Sequence, residues 1–132
     1  MTVFESKAVI KKPLDEVYTF LSNLNNHKQL MPDTVTDWSS NPDEASFTIK
    51  NMAKLTLQVV ERIENTLISI VATPDAPFKT QLRWTFSNYG HQTTQVTYTL
   101  SAELNMMLKM LASGPLQKLV DYQTQQLHSA LD

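Results

Sequence analysis

Few residues of this chain have the type and spacing needed for covalent chemistry. The three histidines, His27, His91 and His128, are the side chains that titrate nearest neutral pH, and no two of them stand at a metal-ligand spacing such as i, i+4. Cysteine is absent, which removes disulfides, thiolate nucleophiles and thiolate metal sites together. Two glycines, Gly90 and Gly114, are too few for a phosphate-cradling loop, and no Gly-x-Ser-x-Gly turn is present. Asp15 and Glu16 stand at a helix start, Glu61 and Glu64 flank a turn, and strand alternation turns Arg83 toward solvent. The expectation is no catalytic residue, no metal ligand and no cofactor site.

What remains is the chemistry of binding. Gln123 sits in an apolar helical stripe made by Leu116, Leu119, Val120, Leu127, Ala130 and Leu131, with Asp121, Gln125, His128 and Asp132 on the opposite side. Leaving a buried amide unpaired costs about 1–3 kcal/mol, so Gln123 needs a partner. That partner is either structural, a backbone carbonyl or Tyr98, or functional, the polar end of a ligand or a water in its place. Met106, Met107 and Met110, with Leu108 and Leu111, form a soft apolar cluster. It reads either as packing where a helix meets a sheet or as a flexible gate for variable apolar ligands. Together with inward residues from the strands, the candidate ligand-binding set is Phe47, Trp84, Phe86, Tyr98, Met107, Met110, Leu116, Val120 and Gln123. The same residue types also suit a filled core.

The elements that must hold these residues are legible from periodicity. Val3 to Ile10 alternates as a strand with Phe4, Ala8 and Ile10 on one face. Pro13 opens a helix whose stripe is Leu14, Val17, Tyr18 and Leu21, and a second short helix covers Leu24 to Leu30, stopped by Pro32. Period two then takes over. Ala45, Phe47 and Ile49 share a face, as do Leu55, Leu57 and Val59, then Thr80, Leu82, Trp84 and Phe86, then Val96, Tyr98, Leu100, Ala102 and Leu104. Leu67 to Thr73 is apolar to small throughout and shows no clear inner face. Thr34 to Trp38 adds a further strand. Glu64-Asn65 and Asn88-Tyr89-Gly90-His91 read as hairpin turns, and Thr73 to Pro77 as a stiffer loop. Short joins force neighbouring strands antiparallel. The apolar face of such a sheet needs a cover, and the run from Leu116 to Leu131 is the one element long enough. Ser113-Gly114-Pro115 predicts an interruption, so that Met106 to Leu111 and the last helix are not one straight rod.

Composition places the chain among globular proteins, with 42% hydrophobic and 18% charged residues and a net charge of −2. A length of 132 residues fits one domain, 1–132. No basic run points to nucleic acid or to an anionic membrane as the main partner. No apolar run approaches the roughly 18 residues of a transmembrane segment, and the N-terminus lacks a signal-peptide pattern. The expected localisation is cytoplasmic.

Val9-Ile10-Lys11-Lys12-Pro13-Leu14-Asp15-Glu16-Val17-Tyr18 resembles the strand-Pro-x-x-x-Val-aromatic opening of the START, polyketide cyclase and pollen-allergen (SRPBCC) superfamily. Leu108-Lys109-Met110-Leu111 and Gly114-Pro115-Leu116-Gln117-Lys118-Leu119 are similar to the way bacterial members enter their last helix. The resemblance covers the whole chain. Trp38-Ser39-Ser40-Asn41-Pro42-Asp43 departs from the pollen-allergen branch in lacking its glycine-rich loop. The resemblance implies an α+β helix-grip fold: a curved antiparallel sheet of six to seven strands wrapped around a long C-terminal helix, with two short helices after strand one. It implies binding, and transport, of a small hydrophobic molecule such as a lipid, a quinone or an aromatic polyketide-like compound, in a cavity between sheet and helix. Two alternatives stand beside it. A cyclase or dehydratase of polyketide-like substrates needs acid-base groups inside the cavity, and a protein-interaction module needs only a solid core.

Overall fold

The computed structural model describes residues 1–50 and 53–131. Strands β1 (Thr2–Ile10), β2 (Val35–Asn41), β3 (Glu44–Ile49), β4 (Ala53–Ile63), β5 (Leu67–Ala72), β6 (Thr80–Gly90) and β7 (Thr93–Ala102) form one sheet in the order β1-β7-β6-β5-β4-β3-β2. Every neighbouring pair is antiparallel, as the short joins require. Helix α1 (Leu14–Ser22) and a 3-10 helix (Leu24–Leu30) cross from β1 to β2, and α2 (Met106–Leu131) follows β7. The sheet curls into a half-barrel with α2 in its grip, the α+β helix-grip arrangement.

Alternation fixes which face turns inward. In β7, Thr94, Val96, Tyr98, Leu100 and Ala102 are buried, while the residues between them are half-exposed. The uncertain face of β5 is settled by register: Ile68 stands opposite Trp84 and Ile70 opposite Leu82, so both point inward. Ser69 is buried on the other face, where its hydroxyl accepts from Gln81 Nε2 at 3.3 Å.

Three local readings change. The second short helix has the expected bounds but is a 3-10 helix, and its buried residues Leu24, His27 and Leu30 repeat every three, the period that aligns side chains on such a helix. The β6–β7 turn falls later than the Asn88–His91 reading. The strand runs through Gly90, whose φ of 140° serves a bulge, and Gln92 at φ 50° lies in the turn. Ser113-Gly114-Pro115 does not interrupt the last helix, which runs unbroken from Met106 to Leu131. Pro115 removes the donor for the carbonyl of Leu111, but Leu111 is 69% exposed, so water can reach that carbonyl. Asn105 starts the helix, its Oδ1 accepting from Leu108 N at 2.8 Å.

Two polar contacts fasten α2 to the edge strand β1. Gln117 Nε2 donates to the Glu5 carbonyl at 3.2 Å, and the hydroxyls of Ser6 and Thr124 share a bond of 2.7 Å. Arg62 ties the other side of the fold. Its guanidinium donates to the carbonyls of Ser22 and Pro42 and pairs with Asp43 at 2.9 Å, joining the end of α1 to the β2–β3 turn.

Candidate functional site

Between α2 and the sheet lies a cavity of about 30 Å3, lined by Met31, Phe47, Ile49, Leu55, Leu57, Phe78, Thr80, Leu82, Tyr98, Leu100, Leu116, Leu119 and Gln123. A water needs about 10–15 Å3 by this measure, so the space takes two or three waters at most. Ile49 and the leucines come from the inward faces of β3, β4, β6 and β7 and from α2. Met31 and Phe78 come from the irregular segments that close its ends. The lining is apolar except for Thr80, the Tyr98 hydroxyl and the Gln123 amide.

Gln123 is 1% exposed, as its place in the helical stripe requires. Its Nε2 donates to the Met31 thioether at 3.5 Å, a weak acceptor. Its Oε1 is buried and has no hydrogen-bond partner among the described residues. Turning the amide over would exchange the two atoms and still leave one without a full bond. The Tyr98 hydroxyl lies in reach of the same amide. Burial raises the phenol above the ordinary tyrosine range, and the Gln123 bond opposes that rise. Burial therefore favours the neutral phenol at Tyr98.

Behind Tyr98 runs a row of stacked rings. Trp84 lies against it with centroids 3.8 Å apart and planes 14° from parallel, and His27 meets Trp84 edge-on at 5.9 Å. The indole Nε1 of Trp84 is a second buried polar atom without a partner among the described residues. His27 is 4% exposed, and its Nε2 lies 2.8 Å from the Leu21 carbonyl. A carbonyl only accepts, so Nε2 carries the proton in the neutral ring and Nδ1 is the acceptor. Burial lowers its pKa from 6.5 to about 4, against a smaller opposing effect of the carbonyl bond. The imidazole is neutral near pH 7. It is the one buried base in the described interior, but it sits behind Trp84 and does not line the cavity.

The sequence-derived site divides into three groups. Phe47, Tyr98, Leu116 and Gln123 line the cavity together. Trp84, Phe86 and Val120 are buried in the core but lie off the lining, Phe86 packing edge-on against Tyr18 at 5.8 Å. Met107 and Met110 are 65% and 81% exposed and lie outside the interior. The register of α2 explains this: Leu108, Ala112, Leu116, Val120, Gln123 and Leu127 share the inward face, and both methionines fall about 100° or more from it. Of the rest of the stripe, Leu119 and Leu131 are half-buried and Ala130 is exposed, while Gln125 and His128 face water and Asp121 is half-buried. Asp132 lies outside the described residues.

The interior wall has an outer side. An open groove of about 310 Å3 is lined by Thr34, Ile49, Lys50, Leu111, Pro115, Leu116 and Leu119. Ile49, Leu116 and Leu119 line both the groove and the cavity, so one layer of side chains separates the two. A larger groove, about 470 Å3, lies along the β5–β6 connection and touches the cavity wall only at Phe78 and Thr80. Among the described residues no cluster of three His, Asp or Glu side chains is placed to hold a metal ion, and no helix is long and apolar enough to cross a membrane.

A curled seven-stranded antiparallel sheet gripping a long last helix, with two short helices after the first strand, is the START-type (SRPBCC) helix-grip fold, and this chain has it. A START superfamily protein from Mycobacterium smegmatis superposes with a TM-score of 0.73 at 14% identity, covering 98% of this chain and 96% of that one. The protein TTHA0849 from Thermus thermophilus gives a TM-score of 0.80 at 17% identity over 98% and 97% of the two chains. The protein XoxI from Bacillus cereus gives 0.76 at 10% identity over 99% and 96%. No protein-family model and no curated protein matches the sequence. At these identities the likeness concerns the fold, and the site has to be read from its own residues.

Proposed function

We propose that the protein binds and carries a small hydrophobic molecule between the sheet and α2, with the molecule's polar end on Gln123. The observation that carries this reading is the Gln123 amide: 1% exposed, on the wall of an apolar cavity, with an acceptor oxygen that no described residue satisfies. An unpaired buried acceptor costs about 1–3 kcal/mol, which a ligand hydrogen bond recovers. The atom left free selects the ligand. In the orientation that gives Nε2 the Met31 thioether, Oε1 is the free atom and takes an O–H or N–H donor, such as a phenol, an alcohol or a protonated acid.

The START-type fold is a ligand-binding fold, which supports the same reading. The cavity of about 30 Å3 requires its wall to part for anything larger than water. Met31 is the residue best suited to yield, being flexible and held to Gln123 only by its thioether. Binding without catalysis is favoured because, among the described residues of the lining, Tyr98 alone is titratable, and burial favours its neutral phenol. A reducing, cytoplasmic setting suits a chain with no cysteine.

Native mass spectrometry of protein purified from its own host tests the proposal. A bound mass that is released on denaturation supports it. No such mass, together with no displacement of an environment-sensitive fluorescent fatty acid by a panel of phenols, alcohols, fatty acids and sterols, overturns it.

A further inference from the structure

We propose that the outer face of the first turns of α2 docks on an anionic lipid surface. Met106, Met107, Met110 and Leu111 are 81%, 65%, 81% and 69% exposed, a concentration of large apolar side chains that water solvates poorly. Met107, Leu111, Gly114 and Lys118 follow one ridge of the helix, spaced by three or four residues. A Cβ built on Gly114 meets nothing within 4 Å, so this ridge is bare where a flat surface approaches.

The surrounding charge names the partner. From Leu104 to Val120 the chain carries Lys109 and Lys118 and no carboxylate, and Lys50 stands exposed across the groove from Leu111. Glu103 and Asp121 bracket this stretch, and Asp121 is held by Gln117 Nε2 at 3.1 Å. The sequence has no basic run and a net charge of −2, so this positive, apolar face exists only once the fold brings Lys50 beside α2. Apolar side chains rimmed by lysines match the boundary of a bilayer with anionic headgroups. A second copy of the chain fits less well, because patch-to-patch docking would oppose like charges.

The docking face is independent of the proposed ligand, since protein that carries nothing should still bind vesicles. Co-sedimentation with vesicles of phosphatidylcholine alone, and with about one-third phosphatidylglycerol, tests it. Binding to the anionic vesicles is expected to exceed binding to neutral ones about tenfold or more and to fall as salt is raised. The double variants Met107→Ser/Met110→Ser and Lys109→Glu/Lys118→Glu should each reduce anionic binding about fivefold or more, with circular dichroism unchanged because the replaced side chains are exposed. Three results would overturn the proposal: no sedimentation at low salt, equal retention by both vesicle types, or binding untouched by both double variants. A concentration-dependent dimer that is lost in the methionine variant, without vesicle binding, assigns the patch to a second copy and overturns it too.

Discussion

Replacing Gln123 with leucine separates an anchor from a structural pair. The two side chains are similar in volume, so the change is mainly chemical. In the native protein Oε1 is buried without a described partner, a cost of about 1–3 kcal/mol. Against that stand the amide's other contacts, Nε2 to a thioether at 3.5 Å and a side-chain bond with Tyr98, worth together about 0.5–1.5 kcal/mol. The balance favours the variant by about 1 kcal/mol, roughly 3–5 °C in melting temperature for a chain of this size. Calorimetry and urea titration followed by tryptophan fluorescence measure the stability. The binding arm uses a matched pair of apolar ligands, one with a free hydroxyl and one with that hydroxyl methylated. Loss of about 1 kcal/mol, near fivefold, is expected for the hydroxyl ligand and none for the ether. A melting temperature lower by several degrees would show that the amide holds the fold together. Equal weakening of both ligands would show that it recognises no donor.

Trp84→Ala should cost about 3–5 kcal/mol in urea denaturation, because the indole is fully buried and stacked on Tyr98. Trp84→Phe, which keeps a ring and removes the unpartnered N–H, should cost under about 1.5 kcal/mol and leave ligand affinity unchanged, since Trp84 does not line the cavity. His27 has a folded pKa of about 4 against 6.5 when unfolded, so the unfolded chain binds the proton first. Its stabilising effect is complete above pH 6.5 and is lost as pH falls toward 4, in all about 3 kcal/mol. Urea midpoints measured across that window should show this slope, and a variant His27→Gln should lack it. Gly114→Ala should stabilise by about 0.5–1 kcal/mol, because the new methyl meets nothing within 4 Å and the helix is continuous there. A lower melting temperature would mean that the glycine is needed for backbone geometry.

Regular periodicity carried most of the architecture. The inward faces of β3, β4, β6 and β7 follow from alternation because each has one polar side, and Gln123 follows from its angle on α2. β5 lacked a polar side and needed its partner's register. Leu24, His27 and Leu30 did carry a signal, a repeat of three, which a search for the 3.6-residue period passes over. Met31 and Phe78 had none, since their segments have no period and only the closed fold brings them to the cavity. The methionines misled for a related reason. Their residue type suits an interior, but the unbroken register of α2 turns them away from its inward face, to a side where even an apolar side chain meets water.

A nearly filled cavity is compatible with a carrier if opening it disturbs few bonds, and the fastenings of α2 are unequal in that respect. On the β1 side it is held by the exposed bond of Gln117 to Glu5 and by the part-buried bond of Thr124 to Ser6, whose rupture would leave the buried Thr124 hydroxyl without its cross-element partner. On the β3 side the wall is Ile49, Leu116 and Leu119, with an open groove already outside it. Parting those three side chains exposes apolar surface at about 25 cal/mol per Å2, and an apolar ligand filling the gap recovers the same quantity. The polar side resists and the apolar side exchanges one apolar contact for another. Under the proposed binding role, the way in therefore lies at Ile49, Leu116 and Leu119, next to Leu111 and Lys50. Gln123, on the inward face beyond them, then meets the polar end of whatever has entered.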